Sequence, residues 1–284
     1  MHSTFSDTPV RERSNDEVTL GRIGHSTVLI NFFGTWVITD PVFSARFGIP
    51  IMKTSRVVGV KRSSAPKLYI RDLPDIDIML LSHAHLDHLH PFSCKKIIKH
   101  SHGKTTIVAA PGVAQWLSPS VKKNFHELDR WQEILLSWIT IRACEVKHRW
   151  GRYPRSLDRS KWDAKGSSYN SYLMEKNKKT IFFCWDTAYT DIMKSYAPPI
   201  CNLAIMPIGF YNPRIHHHCN PEQALEMAHM LHAKNVVGIH RNSRSWSIFK
   251  KDAEWEKPLQ WLLASAPTYG INILWKYEGE VISI

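Results

Sequence analysis

Ser82-His83-Ala84-His85-Leu86-Asp87-His88 is the stretch on which the reading of this chain turns. It follows an apolar run, Ile76 to Ser82, that reads as a strand buried on both faces. Pro91 then fits the first position of a helix running through Lys99. Four potential ligands therefore fall within six positions at the end of a strand. His83 and His85 are two apart, so in an extended turn they point the same way. Asp87 and His88 come next, where the chain turns towards the helix. Imidazole and carboxylate together suit Zn and other first-row divalent metals. The competing reading is a polar loop rich in histidine.

Three further residues sit at comparable strand ends. Ile139 to Lys147 alternates like a strand and delivers His148, Thr180 to Trp185 delivers Asp186, and Val236 to Ile239 delivers His240. Alone, each would be a cap or a solvated turn residue; with the first motif they make a set of seven. The rest of the chain interleaves strands and helices. Val18–Ile23, Ser26–Asn31, Thr35–Thr39, Thr105–Ala110, Ser171–Met174, Leu203–Ile208 and Asn272–Tyr277 read as strands, with Gly34 in a hairpin turn. Gly112–Leu117 and Pro258–Ser265 read as helices. Another opens at Asn220-Pro221, with Asn as N-cap and Pro at the first position, and ends near Asn235. Residues 44–66, rich in Gly, Pro and Ser, read as a long loop. The alternation predicts a layered α/β fold.

A hydrophobic fraction of 43% supplies a sizeable core and excludes disorder for the body of the chain. Residues 1–16 read as a flexible N-terminal arm and 17–284 as one domain. No apolar run approaches the ~20 residues that span a bilayer, and the polar start lacks the apolar segment of a signal peptide. The expected location is cytoplasmic, with peripheral membrane contact open. Five scattered cysteines without a C-x-x-C pair fit reduced thiols. The net charge of +12 gathers in clusters at Lys53–Lys67, Lys147–Lys165 and Arg241–Arg244. These read either as a solvated surface or as attraction for an anionic substrate or membrane face. No nucleic-acid motif accompanies them, and the oligomeric state is not legible.

The motif H-x-H-x-D-H followed by a distant His, Asp and His resembles the metallo-β-lactamase superfamily. Within it the chain is most similar to the branch of N-acylphosphatidylethanolamine-hydrolysing phospholipase D and L-ascorbate-6-phosphate lactonase. The supporting segments are Gly24-His25-Ser26-Thr27, Thr39 to Ser44, Pro207 to Arg214 and His218 to Ala224. The resemblance implies a four-layer αβ/βα sandwich with two divalent metal ions, for which Zn, Mn and Fe all suit the ligands. It implies that His83, His85 and His148 bind the first ion, that Asp87, His88 and His240 bind the second, and that Asp186 bridges both. Two such ions share a water and stabilise hydroxide near neutral pH, so no side-chain nucleophile is needed. Catalytic roles fall on Asp87 and on His218, which can protonate a leaving group or, beside His216 and His217, belong to a polar loop. Asp40 is a partner holding a metal-binding imidazole in one tautomer or a turn residue before Pro41; His25 has the same standing.

Two departures from the family pattern stand out. Trp185 replaces the Gly that usually precedes the bridging Asp, and Arg241 follows the last ligand where Trp is common. Arg241 would either grip a phosphate through paired hydrogen bonds or face solvent. Together with Tyr211 it is the candidate for substrate binding. The expected activity is hydrolysis of a phosphodiester, such as an N-acylphosphatidylethanolamine-type phospholipid. The alternatives are a lactonase or other carboxylic-ester hydrolase, and a catalytically silent metal- or ligand-binding protein.

Overall fold

Strand formation tracks the β-branched and aromatic runs closely, and the chain gathers them into two compact units. A computed structural model describes residues 3–5, 10–12, 14–51, 57–148, 169–209, 218–240, 257–274 and 277–284. The first unit comprises Met1–Arg130, Trp150–Asn170 and Tyr277–Ile284; the second comprises Trp131–Arg149 and Ser171–Lys276.

The first unit contains strands β1 (Ser3–Thr4), β2 (Val18–Gly24), β3 (Thr27–Phe32), β4 (Thr35–Thr39), β5 (Arg46–Pro50), β6 (Val57–Lys61), β7 (Ile78–Leu81), β8 (Thr106–Ala109) and β9 (Phe125–Glu127). The last strand of the chain, β17 (Glu280–Ser283), joins them. Among the described residues these form an eight-stranded sheet in the order β1-β17-β2-β3-β4-β7-β8-β9 and a separate hairpin of β5 with β6. β4, β7, β8 and β9 run parallel. Every residue of β2, β3 and β7 is buried. β7 starts at Ile78 rather than Ile76, and just before it the Asp77 carboxylate accepts from the Trp36 amide at 2.8 Å. Helix α1 (Pro91–His100) packs Cys94 and Ile97 against Ile38, Met79, Leu81 and Ile107 of the sheet. Its N-cap is His90, a buried residue whose imidazole accepts from the Ser93 amide.

Three features differ from the sequence reading. Within 1–16, Ser3 and Thr4 pair with Val281 and Glu280, and Val10 lies in the core. Residues 44–66 are not one loop, because β5 and β6 pair from Arg46↔Lys61 to Pro50↔Val57. Gly48 and Gly59, which read as loop signals, face each other across that hairpin. A Cβ on Gly48 would stand 2.0 Å from the Val58 carbonyl oxygen, so the glycines permit close backbone approach. Arg62, counted with a surface basic cluster, is buried and donates to the carbonyls of Val42 (2.6 Å) and Ser64 (3.2 Å).

The second unit contains β10 (Glu133–Leu136), β11 (Ile139–Cys144), β12 (Ser171–Lys176), β13 (Lys179–Phe183), β14 (Leu203–Pro207), β15 (Asn235–Ile239) and β16 (Asn272–Ile273). They pair in sequence order, antiparallel from β10 to β13 and parallel from β13 to β16. Helices α2 (Pro221–Met230) and α3 (Lys257–Ser265) bury Ala224, Leu225, Ala228 and Leu262 with Phe182, Ala204, Met206 and Val236. α2 opens with a capping box: Asn220 accepts from the Gln223 amide at 2.9 Å, and the Gln223 side chain accepts from the Asn220 amide at 3.4 Å. It ends at Met230. Asn235 instead opens β15, and its side-chain amide bonds the Asn202 carbonyl at 2.8 Å.

Candidate metal centre

The parallel strands set the positions of the site residues, since ligands of α/β sheets collect beyond the carboxyl ends of such strands. In the first unit that place comes after β7. The His85 carbonyl accepts from the amides of His88 (3.1 Å) and Leu89 (2.8 Å), and this turn folds Asp87 and His88 back towards His83. The His83 ring lies 4.5 Å from that of His85 and 4.3 Å from that of His88. Tyr169 flanks this pair, 5.5 Å from His83 and 6.0 Å from His85 by ring centroids. Donor atoms of His83 and His85 lie within 4.8 Å of each other, as do those of His25, Asp87 and His88.

Asp40 ties this half together. It is fully buried just past β4, with φ at +28°. Its Oδ1 accepts from the Ser82 amide at 2.9 Å. Its Oδ2 takes the Ser82 hydroxyl at 2.7 Å and His88 Nδ1 at 2.6 Å. A carboxylate only accepts, so His88 carries its proton on Nδ1 and presents Nε2 as a lone pair. Ser82 spends its proton on Asp40, so its oxygen accepts from His83 Nδ1, 2.7 Å away. His83 Nε2 is thereby a lone pair as well. Burial pushes the Asp40 carboxyl above the ordinary carboxylate range, and the hydrogen bonds from His88 and Ser82 pull it part of the way back. A turn-forming aspartate would need none of these contacts. Ser82, unremarkable in sequence, is the relay that sets the tautomer of His83.

In the second unit Asp186 comes after β13, His240 after β15 and His148 after β11, all at the same end of the sheet. Asp186 Oδ1 lies 3.3 Å from His240 Nε2 and 3.6 Å from His218 Nδ1. The His218 ring stands 5.2 Å from that of His148 and 5.8 Å from that of His240. Thr187 holds the two loops in step: its hydroxyl accepts from the Lys147 amide at 3.1 Å, and the Ala188 amide donates to the Lys147 carbonyl at 2.7 Å. Trp185 is buried in the core. It is 1% exposed, and its ring meets Phe183 at 3.6 Å, edge to face. His148, Asp186 and His240 are buried, and His240 has φ at +58°. His25 and Asp40 in the first unit share that left-handed backbone. A non-glycine residue there costs about 1–3 kcal/mol, and such strain gathers at functional sites.

Each unit therefore carries one cluster of buried and half-buried imidazoles with a carboxylate, a donor set that fits divalent cations. The first brings together His83, His85, Asp87 and His88, with His25 and Asp40 added. The second brings together His148, Asp186 and His240, with His218 beside them. Tyr211 and Arg241 lie outside the described residues, as do most members of the basic clusters at 53–67, 147–165 and 241–244 other than Lys61, Arg62, Lys67 and Lys147. All five cysteines are free and buried. Burial pushes the thiols of Cys94, Cys144, Cys184 and Cys201 up to about 12, so they offer no nucleophile.

A family model described as "Beta-lactamase superfamily domain" matches residues 35–241, more than half of the chain. The chain belongs to that superfamily. The match takes in all seven candidate ligands. One curated relative is N-acyl-phosphatidylethanolamine-hydrolyzing phospholipase D 1 of Caenorhabditis elegans. It is 27% identical over 234 residues, which cover 77% of this chain and 62% of the relative. The chain thus spans less than two thirds of that relative's length. Among solved structures, an isothiocyanate hydrolase from Delia radicum gut bacteria aligns with a TM-score of 0.67 at 20% identity, covering 94% of this chain and 98% of its own. The metallo-β-lactamase fold protein YhfI of Bacillus subtilis aligns with a TM-score of 0.60 at 14% identity, covering 94% and 99%. The fold is accordingly the metallo-β-lactamase fold, the α/β sandwich of αβ/βα type expected from the sequence. Among the described residues no helix is long and apolar enough to cross a membrane.

Proposed function

We propose that the chain is a dinuclear metal-dependent hydrolase of phosphodiesters, with an N-acylphosphatidylethanolamine-type phospholipid as the substrate class. The observation that carries the reading is the Asp40–Ser82 network, which sets His83 and His88 as Nε2 donors. A buried carboxylate committed to that task has little purpose without a cation. The curated phospholipase D relative supports the substrate class. The +12 net charge suits an anionic substrate.

In this reading His83, His85 and His148 would hold one cation, Asp87, His88 and His240 would hold the other, and Asp186 would serve both. Bound divalent cations supply Lewis acidity, which makes water a competent nucleophile near neutral pH and offsets charge developing on phosphoryl oxygens. The protein's own groups do the rest. Asp40 and Ser82 keep two imidazoles in the binding tautomer. Asp87 would add a carboxylate oxygen to the donors of one cation. His218, 3.6 Å from Asp186, gives a proton to the departing oxygen. Arg241 and Tyr211 bind the phosphate.

The test pairs metal content with turnover. The purified protein should carry close to two metal ions, cleave bis-(p-nitrophenyl) phosphate or a lipid phosphodiester, and lose turnover in His85→Ala. Full activity after complete metal removal refutes the reading. Faster turnover on a lactone panel than on phosphodiesters at equal metal loading assigns the site to carboxylic esters instead.

A further inference from the structure

We propose that His25 is an additional ligand of the cation held by Asp87 and His88. The inference rests on the two-cation reading, and its geometry lies wholly within the first unit. His25 occupies the tight turn between β2 and β3, where Gly24 pairs with Thr27. Its φ is +53°, a conformation that Gly or Asn would adopt at less cost. Its side chain nevertheless points inward and is 4% exposed. Nε2 lies 3.3 Å from Asp87 Oδ2, and the ring centroid is 5.2 Å from that of His88. One donor atom from each of His25, Asp87 and His88 lies within 4.8 Å of the other two, a spacing at which a single cation can touch all three.

The surroundings hold the imidazole in that attitude. Phe47 packs on it with ring centroids 4.6 Å apart. The His25 amide donates to Glu278 Oε1 at 3.2 Å. Glu278 is itself fixed by Arg22, 3.5 Å away, and by the Ser64 hydroxyl. Arg62 closes the other side, standing 4.9 Å from the Phe47 ring. A turn residue whose side chain only filled space would not require an imidazole aimed at a carboxylate.

The added donor has a chemical consequence. Added to the ligands of the two-cation reading, His25 would raise that cation's coordination number, and a number above four suits Mn or Fe better than Zn, whose protein sites are mostly tetrahedral. Metal choice at this position would then depend on His25.

The experiment uses the full chain, stripped of metal and titrated with Co(II), with stoichiometry by elemental analysis and coordination by visible absorption. The variants are His25→Asn, which keeps a left-handed turn residue but is too short to reach the cation, and His25→Ala. The expected result is wild-type binding of two ions. In His25→Asn one of the two should bind at least about tenfold more weakly, with a stronger visible band from its lower coordination number. Added imidazole should restore the wild-type spectrum in His25→Ala. Wild-type affinities and spectrum in both variants overturn the proposal. Weaker binding with an unchanged spectrum also overturns it, and makes His25 a positioning residue for Asp87. A wild-type protein that binds no Co(II) sinks the two-cation reading itself, which separates the two failures.

Discussion

Replacing Asp40 by Asn changes one atom and reverses a chain of protons. Asn Oδ1 can still accept from the Ser82 amide at 2.9 Å. The Oδ2 position becomes an NH2 group facing His88 Nδ1 at 2.6 Å and Ser82 Oγ at 2.7 Å. Both neighbours were donors and must now accept. His88 moves its proton to Nε2 and ceases to be a ligand in that tautomer. Ser82 turns its hydrogen to His83 Nδ1, so His83 changes tautomer as well. Recovering either binding tautomer leaves a buried donor without an acceptor, at about 1–3 kcal/mol. That range spans the roughly 10–100-fold loss of metal affinity expected when such outer partners are changed, about 1.4–2.8 kcal/mol at 1.4 per tenfold. The metal-free fold should hold, because every group still finds a partner after the reversal. The assay is chelator competition for both ions, with thermal unfolding of the metal-free protein alongside. Metal affinity within about twofold of wild type would refute the tautomer argument. A metal-free protein that no longer folds would show Asp40 to be structural.

Four further outcomes rest on contacts elsewhere in the fold. Glu278→Ala breaks the buried Arg22–Glu278 pair and should cost about 3–5 kcal/mol in denaturant unfolding. Burial pushes the Glu278 carboxyl up, but Arg22, Ser64, the His25 amide and Arg62 together hold it below its ordinary 4.5. Its contribution is thus present above pH 4.5 and lost as pH falls through the lower native pKa, an acid-side loss that Glu278→Gln should remove. A thiol probe at mildly alkaline pH should label none of the five cysteines until the protein unfolds, because burial holds four of them at about 12 and Cys219 well above its usual value; rapid labelling of the native protein would contradict their burial. Asn220→Ala removes the cap of α2 and should cost about 1 kcal/mol by the same unfolding measurement.

Much of the site is legible in the chain because strand ends announce themselves. One apolar run stops directly before His83, His85, Asp87 and His88, and three others stop before the single residues at 148, 186 and 240. Other parts were hidden for identifiable reasons. The β5–β6 hairpin was masked by Gly48 and Gly59, which mark loops by composition but here allow two backbones to touch. Glu278 and Arg22 are 256 positions apart, and no local pattern pairs a distant carboxylate with a buried guanidinium. Asn235 read as a helix end because Asn favours both helix termini and strand-edge turns.

The order of residues determined which groups could bind a cation, since imidazole and carboxylate chemistry belongs to each residue wherever it sits. It also determined the alternation of strands and helices, which depends on neighbours a few positions apart. Tertiary structure alone decided which nitrogen of His83 and His88 faces outward, because that depends on Asp40 arriving from 42 positions before Ser82. It alone decided that His25 turns inward to Asp87 rather than out to solvent. A proton's place on an imidazole is set by the partner across the fold, and that partner is fixed only when the chain closes.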